Sequence, residues 1–173
     1  RGGPLPTKDR MQSSNLLVVN GTAYLIDAGG GVTHRIVQSG YDFRKVNKIF
    51  VTHAHDDHSA GLATLLSSEW EYKPAVPIDV YGSGMEALVK GAIAYLTPNA
   101  EIRWSEGKRW SMTELFRGHD VKPGVIYQDA NVKVTAVENT HFHFEPGSPA
   151  YGKYHSYSYR FDTPGRVVFF TGD

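Results

Sequence analysis

Between Phe50 and Gly61 the chain reads Phe-Val-Thr-His-Ala-His-Asp-Asp-His-Ser-Ala-Gly, which puts four candidate metal ligands, His53, His55, Asp57 and His58, into six residues. Ile49-Phe50-Val51 ahead of them reads as a buried strand, and Leu62, Leu65 and Leu66 behind them as the apolar face of a helix. A fold that accepts this stretch must supply a strand end, a ligand-bearing turn and a helix in succession. Side chains alternate along an extended segment, so His53, His55 and Asp57 look into one space at the strand end, with His58 at the turn into the helix. Imidazole and carboxylate together suit zinc and related divalent metals. Helix capping would explain Asp56-Asp57 before Ser59, but not three histidines in the same turn.

The chain has no cysteine, so thiolate zinc sites, disulfides and cysteine nucleophiles are excluded and every ligand must be His, Asp or Glu. Its 173 residues, 40% of them hydrophobic, fit a single domain spanning 1–173 with a real core. Net charge is zero, so no global field recruits nucleic acid or anionic membrane. No apolar run approaches the ~20 residues needed to span a bilayer. No signal peptide is visible, but the chain opens at Arg1 without a methionine, which leaves a soluble protein of unknown compartment, cytoplasmic or exported.

Residues 1–14, rich in Gly, Pro and Ser, read as a loop. Ser14–Val19 and Thr22–Asp27 read as a hairpin about Asn20-Gly21. Gly29-Gly30-Gly31 lacks the flanking residues of a phosphate loop, and is read instead as backbone that must pass close to the metal-site loop. Helices are expected over Val32–Ser39, Gly61–Ser68 and Met85–Leu96, the last carrying an apolar stripe and ended by Pro98. A short strand is expected at Ile78–Tyr81. Residues 99–124 read as irregular, with His119 a solvent-exposed bystander. Strands are expected at Val125–Gln128, Val132–Glu138, Tyr154–Phe161 and Arg166–Phe170. His155 reads as structural or substrate-facing, and Tyr157, Tyr159 and Arg160 as either substrate contacts or ordinary strand packing.

The strand-then-ligand pattern recurs at His141 and at Asp173. His53, His55 and His141 would supply three neutral nitrogens and an open position for water, the usual plan of a catalytic zinc site. His143 shares a face with His141 and competes for the third position. Asp57 and His58 could hold a second metal, with Asp173 bridging the two.

These residues carry a resemblance. Thr52-His53-Ala54-His55-Asp56-Asp57-His58 resembles the T-H-x-H-x-D-H signature of the metallo-β-lactamase superfamily. Asp27-Ala28-Gly29 resembles its aspartate-glycine turn, His141 its third histidine, and Thr171-Gly172-Asp173 its bridging aspartate. Pro6-Thr7-Lys8-Asp9-Arg10 with Ser13-Ser14, and Ser156-Tyr157-Ser158-Tyr159-Arg160, are similar to segments of the ribonuclease Z-like branch. The sequence departs from that branch at Gly30, where an acidic residue is usual, and in a longer loop, Phe142–Lys153, after His141. No tRNA-gripping arm is recognisable, which weighs against tRNA 3′-end processing as such.

The resemblance implies an α/β (α+β) fold, the αββα sandwich of two similar halves, whose last ligand histidine follows the bridging aspartate. The chain then reads as the N-terminal half or slightly more, with the C-terminal part of the fold missing and the first strand shortened or absent before Gly2. A further segment or second chain is expected to complete the sandwich, since an uncovered sheet face is costly at ~25 cal/mol per Å² of apolar surface. A homodimer is compatible with this.

The chemistry implied is a metal-dependent hydrolase, with two Zn²⁺ ions expected and Mn²⁺ or Fe as alternatives. A zinc-activated water gives hydroxide near neutral pH, and Asp57 is the residue placed to orient it or move a proton to the leaving group. The expected substrates are small-molecule or nucleic-acid phosphodiesters, as for ribonuclease Z. Alternatives on the same fold are β-lactamase, lactonase or arylsulfatase hydrolysis. Readings from other classes are an iron-dependent sulfur dioxygenase and a non-catalytic metal-binding scaffold.

Overall fold

The computed structural model describes residues 3–72, 76–107 and 110–173; expectations about the chain before Gly2 and about residues 108–109 lie outside it. Strands β1 (Asn15–Val19) and β2 (Thr22–Ile26) pair antiparallel through Asn20-Gly21, both at positive φ (49° and 80°), as a tight hairpin turn of right-handed twist requires. From β2 the chain crosses through helix α1 (Val32–Gln38) to β3 (Val46–Phe50). It continues through α2 (Asp56–Ser59) and α3 (Leu62–Tyr72) to β4 (Ile78–Gly82). Then α4 (Met85–Glu106) and α5 (Met112–Leu115) lead to β5 (Phe116–Asp120). The first sheet runs β1-β2-β3-β4-β5, parallel from β2 onward. The second sheet is antiparallel and made of β6 (Gly124–Gln128), β7 (Lys133–Glu138), β8 (Tyr157–Asp162) and β9 (Val167–Phe170) in that order.

Alternation along the strands builds two cores. Ala23, Leu25, Ile49 and Val80 face α1, α3 and α4, where Ile36, Leu62, Leu65, Trp70, Met85 and Val89 bury against them. Tyr24, Ile26 and Phe50 point the other way and meet Val134, Ala136, Tyr157, Tyr159 and Phe161 of the second sheet. Tyr157 and Tyr159 are therefore packing residues, and their hydroxyls donate to the Val121 and Val51 carbonyls at 2.9 and 2.7 Å. Arg160 points outward and is held by Asp162 at 2.8 Å. On that outer face Val125, Val137, Val167 and Phe169 stand 46–60% exposed. The layers are thus helix, sheet and sheet, with apolar side chains open to solvent on the second sheet, as the sequence leads one to expect of part of an αββα sandwich.

Three expectations need correction. Pro98 does not end its helix: α4 runs on to Glu106 with Pro98 inside it. Proline removes one backbone bond and crowds the preceding turn, but tertiary contacts beyond it hold the rod together. Ala100 packs on the core, and Arg103 reaches Glu71 of α3 at 3.5 Å and Glu106 at 3.2 Å. The region 99–124 is accordingly not irregular, since it contains the end of α4, α5 and β5. β5 is short and polar, and its pairing with β4 supplies what its sequence does not advertise. His119, finally, is no bystander. Its Nε2 lies 2.8 Å from Asp79, which also accepts from Lys48 at 2.8 Å, and its ring stacks on Tyr81 at 4.6 Å. Smaller differences are boundaries: α3 extends to Tyr72, and β8 starts at Tyr157 rather than Tyr154.

Candidate metal centre

The ligand-bearing stretch leaves the first sheet at the end of β3 and is tied down on both sides. Val51 N–H donates to the Tyr81 carbonyl (2.8 Å) and Tyr157 N–H to the Thr52 carbonyl (2.8 Å), so the segment is stitched to both sheets. The glycine run provides the close approach expected of it. Ser13 N–H donates to the Asp57 carbonyl (3.0 Å), Gly29 N–H to Ser13 (2.9 Å) and Ala28 N–H to the His58 carbonyl (2.8 Å). A Cβ on Gly29 would collide with the Asp57 carbonyl oxygen, and one on Gly61 with the Gly29 carbonyl, so both positions require glycine for close packing.

Two groups of donors converge there. His53, His55 and His141 bring one nitrogen each to within 4.8 Å of one another, as do His53, His58 and Asp173 with one ligand atom each. His53 Nε2 lies 3.1 Å from His55 Nδ1, and His141 Nε2 3.3 Å from the same atom. A tetrahedral zinc with Zn–N near 2.0–2.1 Å demands N···N edges of about 3.3–3.4 Å, so these spacings fit such an ion. The second group also fits. His58 Nδ1 is engaged by Asp27 Oδ2 at 2.7 Å, while its buried Nε2 has no hydrogen-bond partner and faces Asp173 at 3.4 Å and Asp57 at 3.7 Å. A buried nitrogen with carboxylates on its open side and another behind it is the carboxylate–histidine arrangement that metal ligands commonly have.

The electrostatics differ between the two groups. Burial, helped by the neighbouring His58, His141 and His55, pushes His53 down from its ordinary 6.5 to about 3. Burial and the nearby His55 also lower His141. Both imidazoles are then neutral and able to coordinate. Burial opposes charge on His58 as well, but the Asp27 hydrogen bond and the Asp27, Asp173 and Asp57 carboxylates outweigh it and raise its pKa. That end of the centre attracts positive charge, whether proton or metal.

The sequence-derived residues are thus gathered with one redistribution. His53 sits between both groups rather than in one. Asp57 is buried, turned toward His58, and belongs to neither close triad. Of the two competing histidines, His141 joins the cluster, whereas His143 is exposed and outside both groups. His155 pairs with Glu138 at 2.7 Å, away from these groups. The resemblance singles out Asp27 and Thr52 within its motifs, but sequence reasoning assigns neither a task. Asp27, buried and at φ 63°, accepts from Thr52 N–H (2.8 Å) and the Thr52 hydroxyl (2.9 Å) and holds His58, while Thr52 Oγ1 contacts His53 Nδ1 at 3.1 Å. The available signal was an aspartate ending a buried strand just before a glycine run.

The sequence profile of the family described as anti-Pycsar protein Apyc1 matches residues 3–173. The chain is 33% identical over 138 residues to ribonuclease Z of Lacticaseibacillus casei (strain BL23), covering 78% of this chain and 40% of that protein. It superposes on the short form of human tRNase Z with a TM-score of 0.70 at 22% identity, covering 99% of this chain and 66% of that one. The metallo-β-lactamase fold protein YhfI from Bacillus subtilis gives 0.69 at 18% identity, with 99% and 59% covered. The fold is that of the metallo-β-lactamases. The chain spans less than half the length of the curated relatives it matches.

Proposed function

Because the chain belongs to the anti-Pycsar protein Apyc1 family, on the ribonuclease Z-like branch of the metallo-β-lactamase superfamily, we propose that it is a metal-dependent hydrolase of phosphodiesters whose centre holds two zinc ions. The observation that carries this reading is the pair of adjoining donor groups sharing His53, with the unpartnered Nε2 of His58 backed by Asp27. His53, His55 and His141 would hold one ion, and His58 and Asp173, with Asp57 beside them, the other.

Zinc in such a centre lowers the pKa of water from 15.7 to about 7 and balances charge developing on a phosphoryl group. The protein's own part is positioning and proton handling. Thr52 and Asp27 fix the rings of His53 and His58 from behind. Asp57, held by Ser13 through its backbone carbonyl, presents a buried carboxylate able to orient the attacking oxygen and take its proton. The Phe142 ring packs 5.2 Å from the His55 ring. No serine or cysteine nucleophile is required. The exposed outer face of the second sheet is the natural seat for a further C-terminal segment or a second chain, a homodimer included.

Relatives named ribonuclease Z favour a phosphodiester over a lactam. The zinc-loaded protein is expected to turn over bis(p-nitrophenyl) phosphate and not nitrocefin, with His55→Ala reducing the phosphodiesterase rate at least 100-fold on the scale of ~2.7 kcal/mol. Turnover of nitrocefin alone would replace the phosphodiester with a lactam, and a His55→Ala rate equal to wild type would refute the metal mechanism.

A further inference from the structure

His141 and Asp173 leave the second sheet at the ends of β7 and β9, with β8 running between them. The ladders stop at Glu138, opposite Tyr157, and at Phe170, opposite Tyr159. Both donors therefore ride on turns beyond regular pairing, and their places depend on how those turns are held. One carboxamide is bonded to both. Asn139 Oδ1 accepts the His141 N–H at 3.1 Å, while Nδ2 donates to the Thr171 carbonyl at 3.1 Å and to Ser158 Oγ at 3.3 Å. The first bond makes an Asx turn, which folds the chain back just past the strand end. Asn139 N–H donates to the Ser156 carbonyl at 2.9 Å, which anchors the residue at the start of β8.

The Thr171 carbonyl accepts a second bond, from the hydroxyl of buried Ser158 at 2.7 Å. With both its lone pairs engaged, the peptide that follows is held in one orientation. Gly172, at φ 73°, then turns the chain inward, and Asp173 faces His58 Nε2 at 3.4 Å. On the other turn His141 Nε2 comes to 3.3 Å from His55 Nδ1. Ending β7 requires only the Asx turn, which Ser, Thr or Asp at this position could also make. The reach across β8 is a different demand. A carboxylate has no donor for the Thr171 carbonyl, and a serine hydroxyl is shorter by one atom, so of these side chains the carboxamide alone serves both turns.

We infer that Asn139 is a positioning residue of the metal centre: by bonding the His141 turn to the Asp173 turn across β8, it sets the spacing between donors that belong to different groups. This rests on the two-ion reading of the centre, and Asn139 acts through the two turns rather than on the ions.

The test titrates zinc into metal-free wild type, Asn139→Ser and Asn139→Leu against a chromogenic chelator, and reads each urea midpoint with and without zinc. Asn139→Ser keeps an acceptor for the His141 turn and loses the link to Thr171, whereas Asn139→Leu loses both at similar side-chain size. Wild type is expected to bind two equivalents. Both variants should hold the weaker of the two ~10–100-fold less tightly, as when an outer partner of a ligand is removed. The zinc-induced rise in their midpoints should shrink accordingly, while the metal-free midpoint of Asn139→Ser stays close to that of wild type. A role confined to folding would instead lower the metal-free midpoint and leave zinc affinity unmoved. Unchanged affinity for both equivalents in Asn139→Ser overturns the assignment, whatever its midpoint does. Fewer than two equivalents in wild type removes the two-ion reading and this assignment with it. Hydrolysis of bis(p-nitrophenyl) phosphate by the same samples separates the remaining case. Two bound equivalents without turnover would remove the hydrolase and leave the positioning role to the affinity comparison.

Discussion

At Asp27 one buried carboxylate serves two ligand-bearing segments: Oδ1 accepts both Thr52 donors and Oδ2 faces His58. Removing outer partners of this kind typically weakens metal affinity ~10–100-fold. Asp27→Asn is expected to lose zinc affinity by about that factor, measured by competition with a chromogenic chelator, and an unchanged affinity would mean His58 is oriented without it. A second buried aspartate carries a pH signature. Burial opposes charge on Asp79, but Lys48 and His119 outweigh it and hold its pKa below the ordinary 3.8. A depressed carboxylate contributes stability that is full above 3.8 and lost as pH falls through the lower folded-state value. Asp79→Asn should therefore cost about 1–3 kcal/mol in urea unfolding at pH 7, the rim of the triad being open to solvent, and progressively less below pH 4. A penalty independent of pH would assign it to packing. The contrast between these residues explains what could be read in advance. His53, His55, Asp57 and His58 declare themselves as candidate donors by spacing, because side chains close in sequence must be close in space. Asp27 depends on a left-handed φ and a meeting with Thr52, 25 residues on, and His119 on Asp79, 40 residues away, so neither pairing leaves a local signal.

The elements divide along similar lines. The hairpin about Asn20-Gly21 and the alternating strands β6–β9 are legible because turn chemistry and period-two patterning act locally. α4 is not, since Pro98 is a local stop signal that distant contacts override. Thr97 Oγ1 donates to the Ile93 carbonyl at 2.9 Å in the same turn, and Arg103 ties the far end to α3. The proline is then a cost the helix carries rather than a boundary. Pro98→Ala should raise stability by about 1–3 kcal/mol, read as an increased urea midpoint with unchanged slope. A decrease would mean the proline ring itself is needed for packing. β5 was missed for the opposite reason: Phe-Arg-Gly-His-Asp has little strand character, and its pairing with β4 decides it.

At the scale of the molecule the donor atoms come from both sheets. His53, His55, Asp57 and His58 follow β3 of the first, while His141 follows β7 and Asp173 follows β9 of the second. The sandwich is what brings the donors together, and a metal held there would tie its two layers together and add stability that rises with the logarithm of free metal above its Kd. The sequence conveyed the fold class, and the candidate donors follow strand ends in the order it suggested. It left the sharing of His53 between two groups unseen, since that needs the sheets' relative placement. The central claim, hydrolysis that depends on metal at this centre, is tested by the initial rate of bis(p-nitrophenyl) phosphate hydrolysis as zinc is added back to metal-free protein. The rate is expected to start at background and climb until about two equivalents are bound, as a centre of two adjoining ions requires. A rate already full without metal, or unaffected by its addition, would contradict it.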